Sequence, residues 1–251
     1  MSDGKTSPFG RRDGRKSNQI RPLAAEQGLL NRADGSARFV QGNSSVLAAV
    51  YGPAPAKVPR MEKLDRASVE VEFKPESGIR SPNDSDREIL LRRSLEEVLL
   101  LGRYPRCVVA IVIQVIVDDG SVLSAALNAA SMALLNAGVE MTGIALSVTC
   151  CITKSPPADR AVRTVILDPS KAEEDDSAAV AVIATRSAGG GVLSCRAVGA
   201  MGREEYFACC EAAALGTTAV REFVRLSMEQ KVVREAQSVR KCQPALVEHR
   251  P

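Results

Sequence analysis

The residues best equipped for chemistry sit at two places. The first is Asp118-Asp119-Gly120-Ser121, where the apolar run CVVAIVIQVIV ends in two acids and a glycine and a small-residue stretch begins at once. A strand that turns directly into a helix leaves backbone N–H groups unpaired at the positive end of the helix dipole, which suits an anion. Yet no Lys or Arg lies between Asp118 and Leu134, so the charge that would hold phosphate firmly is missing. The second place is the run Glu173-Glu174-Asp175-Asp176. Hard cations take carboxylate oxygens, so these acids, with Asp118 and Asp119, are candidate catalytic residues and candidate Mg²⁺ ligands. The plainer alternatives are a turn with two solvated acids and a solvated loop beside a strand.

The single histidine is His249, two residues from the end of the chain, where it reads as a solvated tail residue. A Ser-His-Asp triad, a Cys-His pair or a histidine zinc site in the body is therefore excluded. Seven cysteines include two adjacent pairs, Cys150-Cys151 and Cys209-Cys210, and no CxxC spacing. Most lie in apolar runs, which predicts buried free thiols in a reducing compartment. What remains for binding is arginine and lysine. Arg80, Arg87, Arg92 and Arg93 crowd the first predicted helix, and Lys74 with Arg80 flanks the loop before it. They either contact the phosphates of a nucleic acid or pair locally with Glu88, Glu96 and Glu97. No aromatic residue accompanies them on that helix, so base stacking is not expected there.

These residues need a scaffold to hold them. The sequence SARFVQGNSSVLAAVYGP places two β-type runs around Gln41-Gly42-Asn43, a hairpin signal. Pro53, Pro55 and Pro59 then predict an extended loop, and ASVEVEFKP alternates like a half-exposed strand. A helix is predicted from the Ser81 region to Gly102, a buried strand over CVVAIVIQVIV, and a small-residue helix from Ser121 to Gly138. Four more strands are read in IALSVTCCI, RTVILD, AAVAVIAT and GVLSCRAVGA, followed by a long amphipathic helix to about residue 230. Strands cluster in runs between three helices, which predicts one α+β domain rather than a doubly wound fold. The expected organisation is a flexible basic arm over 1–19, one domain over 20–229 and a polar tail over 230–251.

The totals agree with such a domain. Apolar residues make up 45% and charged residues 25%, the balance of an ordinary globular chain. Aromatics are only 3%, so the core must be built from Val, Leu, Ile and Ala. The net charge of +3 implies no partner by itself. No apolar run reaches the roughly 18 residues that span a membrane, and the opening MSDGKTSPFGRRDGRKSNQ lacks the apolar core of a secretory signal.

Four segments together resemble the ribonuclease PH superfamily. They are RPLAAEQGLLNRADGSARFVQGNSSVLAAVYGP, QVIVDDG, LNAASMALLNAGVEM and LDPSKAEED, in the order and spacing of that family, and the resemblance covers about residues 20–225. It implies a mixed sheet packed with helices, assembled as pairs of like folds into a six-membered RNA exosome ring through which single-stranded RNA threads. It further implies 3′-to-5′ RNA processing and degradation, including rRNA maturation, in nucleus, nucleolus and cytoplasm. Active members cleave RNA with inorganic phosphate at a site resembling Gly-Gly-Thr-Arg-Thr-Ala. Here Asp119, Gly120, Ser121, Val122, Leu123 and Ser124 stand at those positions, with valine in place of the arginine. Gly120 and Ser121 are what remains of the phosphate cradle. The family's catalytic acids fall on Glu174 and Val180, or on Asp175 or Asp176 in the first place if the register shifts; Ser177 to Arg186 contains no acid. The resemblance thus implies a ring subunit without phosphorolytic activity, with other ribonuclease PH-like subunits as partners. Two rivals stand beside it. One is a homodimeric RNase or DNase using the surviving carboxylates and Mg²⁺. The other is a phosphorolytic exoribonuclease whose anion site is rebuilt from other arginines, such as Arg87. The long apolar β runs also predict sheet edges that need covering, hence a dimer or ring member.

Overall fold

The computed structural model describes residue 11 and residues 13–56, 62–154, 163–187, 189 and 191–242. Nine strands and four helices follow in the order β1 (Leu23–Gln27), β2 (Gly35–Gln41), β3 (Ser44–Pro55), β4 (Ser68–Lys74), α1 (Pro82–Glu96), β5 (Cys107–Val117), α2 (Val122–Ala137), β6 (Ala145–Thr153), β7 (Val165–Leu167), α3 (Lys171–Asp175), β8 (Ser177–Arg186), β9 (Val192–Gly199) and α4 (Arg203–Cys242). They form a five-stranded sheet ordered β1-β2-β3-β5-β4 and a four-stranded sheet ordered β7-β6-β8-β9. Among the described strands only the β4–β5 pair is parallel. The α+β class holds, as a mixed sheet and an antiparallel sheet with α2 between them.

Helix α2 is the centre of the molecule. Its alanines and leucines from Leu123 to Leu134 are buried, and they meet β2 and β3 on one side and β6 on the other. A helix apolar all round must be enclosed in this way. Its few polar side chains fix its register on β6. Asn128 donates to the Ser147 carbonyl at 3.0 Å and accepts from the Ser147 N–H at 2.9 Å. Ser131 donates to the Ala145 carbonyl at 2.6 Å, and Thr149 donates to Ser124 at 3.0 Å. A slide of α2 by one turn would orphan all of these buried groups at once.

The hairpin forms as expected, with Gln41 opposite Ser44 across the Gly42-Asn43 turn. The long apolar strands β5 and β8 are interior; the edges are β1, β4, β7 and β9. Pro53 and Pro55 lie in β3 rather than in a loop, Pro53 within a register shift between Tyr51 and Ala54 and Pro55 just beyond it, opposite Cys107. Pro59 lies outside the described residues. Helix α1 stops at Glu96, short of Gly102, because Val98 and Leu99 leave the helix axis to be buried, Leu99 bridging to Met141. The described cysteines are free, three of them buried and three half-buried. Among the described residues no helix is long and apolar enough to cross a membrane.

Both ends differ from the sequence expectation. Arg11 and residues 13–19 are not a free arm: Arg11 is only 3% exposed and Arg15 is buried beside it. Helix α4 runs through residue 230 to Cys242, as one rod of 40 residues, about 60 Å long.

Candidate functional site

The strand-to-helix junction is built by two loops pressed together. Gly120 follows β5 at φ +84°, and a Cβ there would lie 2.5 Å from the Lys171 nitrogen. Only glycine permits that approach. Ser121 then takes φ +55°, a left-handed conformation uncommon for a side-chain-bearing residue, and starts α2. Its hydroxyl donates to the Pro169 carbonyl at 3.0 Å, tying the junction to the loop after β7. Ser44 adds a third tie, donating to the Gly120 carbonyl at 2.7 Å and accepting from the Asp119 N–H at 3.1 Å.

Behind the junction lies a set of buried ion pairs that the sequence reading missed. Asp168 is fully buried at φ +50°. Arg21 grips it through Nε at 3.0 Å and Nη2 at 2.7 Å, and the Arg21 N–H donates to it at 2.7 Å. The same guanidinium donates to the Asp119 carbonyl at 2.8 Å and the Gly120 carbonyl at 3.2 Å. Burial would raise the Asp168 carboxyl, but the Arg21 hydrogen bonds and charge outweigh it and hold it below the usual carboxylate range. Arg11 repeats the arrangement on Glu173, at 2.9 and 3.1 Å, and also donates to the Leu167 and Asp168 carbonyls at 2.9 Å each. Glu173 is likewise held low against its burial by Arg11. Arg15 donates to the Asp168 carbonyl at 3.2 Å. Arg11 and Arg15 lie in the segment expected to be a flexible basic arm, because the groups that bury them, Glu173 and the Asp168 carbonyl, lie 162 and 153 residues away.

Glu174 decides what the junction can do. Its Oε1 accepts the Ser121 N–H at 2.7 Å. The N–H of the residue that caps α2, one of the donors an anion could use there, is thus taken by a carboxylate of the same chain. Burial raises the Glu174 carboxyl, against the opposing hydrogen bond from Ser121, and the neighbouring Asp118 adds to the rise. Val122 occupies the first helical position, where the resemblance places arginine. Val180 lies in β8 opposite Cys151 and Val198.

The other acids do not converge. Asp118 pairs with Lys171 at 3.0 Å, and its hydrogen bond raises the lysine. Asp119 stays 3.8 Å from Arg21. Asp176 turns outward to Lys154 at 3.0 Å, and Asp175 is exposed at the end of α3. Each acid has its own cation, N–H donor or solvent, and mutual repulsion in so short a helix spreads them. Among the described residues no three His, Cys, Asp or Glu side chains are placed to hold a metal ion. The donor set does not fit Mg²⁺, and the expected carboxylate–metal site is not formed.

The basic residues also divide. Arg80 pairs with Glu88, and Arg87 pairs with Asp84 at 3.0 Å while lying 5.5 Å over the Phe73 ring. Arg87 thus faces Asp84 and Phe73 rather than a rebuilt anion site. Lys74 pairs with Glu72 at 3.5 Å. Arg92 and Arg93 are exposed and make no ion pair among the described residues. Arg92 lines a groove of about 440 Å³ with Arg80, Glu70, Glu72 and Glu88, and Arg93 lies in a second groove with Arg186. Two of the five candidate RNA-binding side chains are therefore free to meet a phosphate chain.

Comparison with known proteins agrees with this geometry. Residues 19–140 match the model of the 3′ exoribonuclease family, domain 1, known as RNase PH. The exosome complex exonuclease RRP46 homolog of Arabidopsis thaliana is 34% identical over 237 residues, covering 88% of this chain and 96% of that protein. The exosome component Rrp41 of Thermococcus onnurineus is 31% identical, covering 92% of this chain and 93% of its own. The crystal structure of rice Rrp46 superposes with a TM-score of 0.81 at 34% identity, covering 87% of this chain and all of that one. An Archaeoglobus fulgidus exosome chain shares the fold, with a TM-score of 0.70 at 20% identity. Fold, junction and relatives place this chain in the ribonuclease PH family.

Proposed function

We propose that this chain is a structural, RNA-guiding subunit of an RNA exosome ring, paired with other ribonuclease PH-like subunits and inactive in phosphorolysis. The observation that carries the reading is the closed junction: the Ser121 N–H is spent on Glu174 and valine stands at position 122. Relatives of nearly the same length bear exosome names, which supports ring membership and a part in 3′-to-5′ RNA processing and degradation. Maturation of rRNA, and residence in nucleus, nucleolus and cytoplasm, belong to the same proposal. Without its partners the chain is expected to pair with itself.

Loss of one preorganised donor at an anion site costs roughly 10²–10³ in rate, and here a resident carboxylate also repels the incoming phosphate. Three experiments test the reading. Gentle purification from the native cell should recover other ribonuclease PH-like subunits with this chain; recovery of the chain alone would contradict ring membership. The isolated protein in phosphate buffer should release no nucleoside diphosphates from RNA, and their release would contradict inactivity. RNA should bind with little sequence preference, each phosphate contact contributing about 0.7 to the log–log salt slope. Reversal of Arg92 and Arg93 to Glu should weaken binding and flatten that slope.

A further inference from the structure

The loop that leads from β4 into α1 is uncovered. Residues 76–83 are all exposed, Ile79 at 79%. Within it stands the run Arg80-Ser81-Pro82. Ser81 has φ −103° and ψ 153°, and Pro82 opens the helix. Proline disfavours the helical conformation in the residue before it, so Ser81 is held extended on the exposed loop. The charges beside it form a chain. Arg80 pairs with Glu88, whose Oε1 also accepts the Phe73 N–H at 2.9 Å. Arg92 follows Glu88 by one turn of α1 and lines the same groove of about 440 Å³. Asp84, in the first turn, is already engaged by the Ser81 N–H at 2.8 Å and by Arg87 at 3.0 Å.

We propose that Ser81 is the phosphoryl acceptor for a proline-directed serine kinase, and that its phosphate weakens RNA binding by redistributing these arginines. An exposed, extended Ser-Pro dipeptide is the form such a kinase takes, because its cleft holds the substrate extended and accepts at the next position a ring without an N–H. The Ser81 hydroxyl oxygen attacks the γ-phosphorus of ATP. The bond from that phosphorus to the ADP oxygen breaks, ADP leaves, and the hydroxyl proton passes to the carboxylate base of the kinase. The product carries about −1.5 to −2 charges and three acceptor oxygens. The Arg80 side chain, next in the chain, is 57% exposed. Exchanging Glu88 for the phosphate therefore costs it little and forms a stronger charge-assisted pair. Glu88, whose side chain is only 14% exposed, is then without its cation. Arg92 stands four residues on, the spacing that suits a Glu–Arg pair on a helix, and takes that place. One of the two arginines free to meet RNA is thereby withdrawn. Ser7-Pro8 and Ser155-Pro156 share the dipeptide but lie outside the described residues.

The effect on RNA rests on the RNA-guiding reading; the acceptor site does not. The folded full chain is treated with ATP and a mitogen-activated kinase, which is proline-directed, and the modified residue is located by peptide mass. Ser81 should take up close to one phosphate per chain. Ser81→Asn, which keeps a helix-capping residue, should lose that site alone. The phosphorylated protein should bind single-stranded RNA several-fold more weakly, with a log–log salt slope lower by about 0.7. In Glu88→Gln, which has no carboxylate to take Arg92, phosphorylation should leave the slope unchanged. Absence of phosphate at Ser81 would overturn the proposal, and so would a phosphorylated chain that binds RNA as before while Arg92→Glu weakens it. An equal loss in Glu88→Gln would overturn the exchange of arginines. RNA binding indifferent both to the phosphate and to Arg92→Glu would instead contradict the RNA-guiding reading, with the acceptor site still supported by its own mapping.

Discussion

Arg11 and Arg15, near one end of the chain, are withdrawn from solvent, whereas Arg234, near the other, stands exposed on the free end of α4. The two segments look alike as sequence, polar and basic with few apolar anchors. They differ in what the folded body offers them. The N-terminal segment meets carboxylates and carbonyls of the loop after β7, each set to accept a guanidinium. Among the described residues, Arg234 on the far end of α4 forms no ion pair and stays exposed. Burial of a charged residue is thus settled by the presence of a shaped counter-charge, not by the residue's own polarity. The buried end has a consequence for the site. Arg11 holds Glu173, the neighbour of Glu174, and Arg21 holds the carbonyls of Asp119 and Gly120. The arginine straps therefore fix both loops of the closed junction.

The comparison can be broken most severely at Arg21. Arg21→Ala leaves the fully buried Asp168 without its cation, and chemical denaturation should show a loss of about 3–5 kcal/mol. A loss near zero would mean that the strap is dispensable. Arg11→Ala should cost about 2 kcal/mol at neutral pH, since Glu173 is partly exposed and can recruit water. Because Arg11 helps hold Glu173 below the usual carboxylate range, that contribution is present above the ordinary pKa and lost as pH falls through the folded value. The gap between native protein and Arg11→Ala should therefore close on acidification; a gap that widens would contradict the pairing.

Glu174 gives the opposite sign. Its carboxyl is raised, so its contribution to stability is present below the ordinary value and lost as pH rises through the folded one. Glu174→Gln keeps an acceptor for the Ser121 N–H and removes the buried charge. It should raise stability above neutral pH, read as a higher melting temperature there and little change in acid. The smallest effect belongs to the free end of the chain: Arg234→Ala should shift stability by less than about 0.5 kcal/mol, and a larger shift would show that α4 leans on something beyond its described contacts.

Much of the scaffold was legible because periodicity and punctuation report local physics. The hairpin at Gly42-Asn43, the buried strand before Asp118 and the helix over Ser121 to Gly138 all stand where alternation, β-branching and glycine put them. Strand β1 and the five-residue α3 were not read, since short elements held by tertiary contacts carry little pattern of their own. At the site, the valine at position 122, where the resemblance places arginine, could be read from the sequence. That Glu174 fills the same place could not, because no spacing along the chain tells where a carboxylate turns.

The sequence by itself determined the fold class, the core of small and branched aliphatics, the lack of a histidine in the body and the absence of any Lys or Arg between Asp118 and Leu134. Those are properties of residue type and local order, which are written one position at a time. Only the tertiary structure decided that two N-terminal arginines are buried, that the four acids of Glu173 to Asp176 part company and that Glu174 closes the start of α2. Each of these is a meeting between groups up to 162 residues apart. Such a meeting depends on how α2 is clamped between the two sheets, and so on the packing of the whole chain.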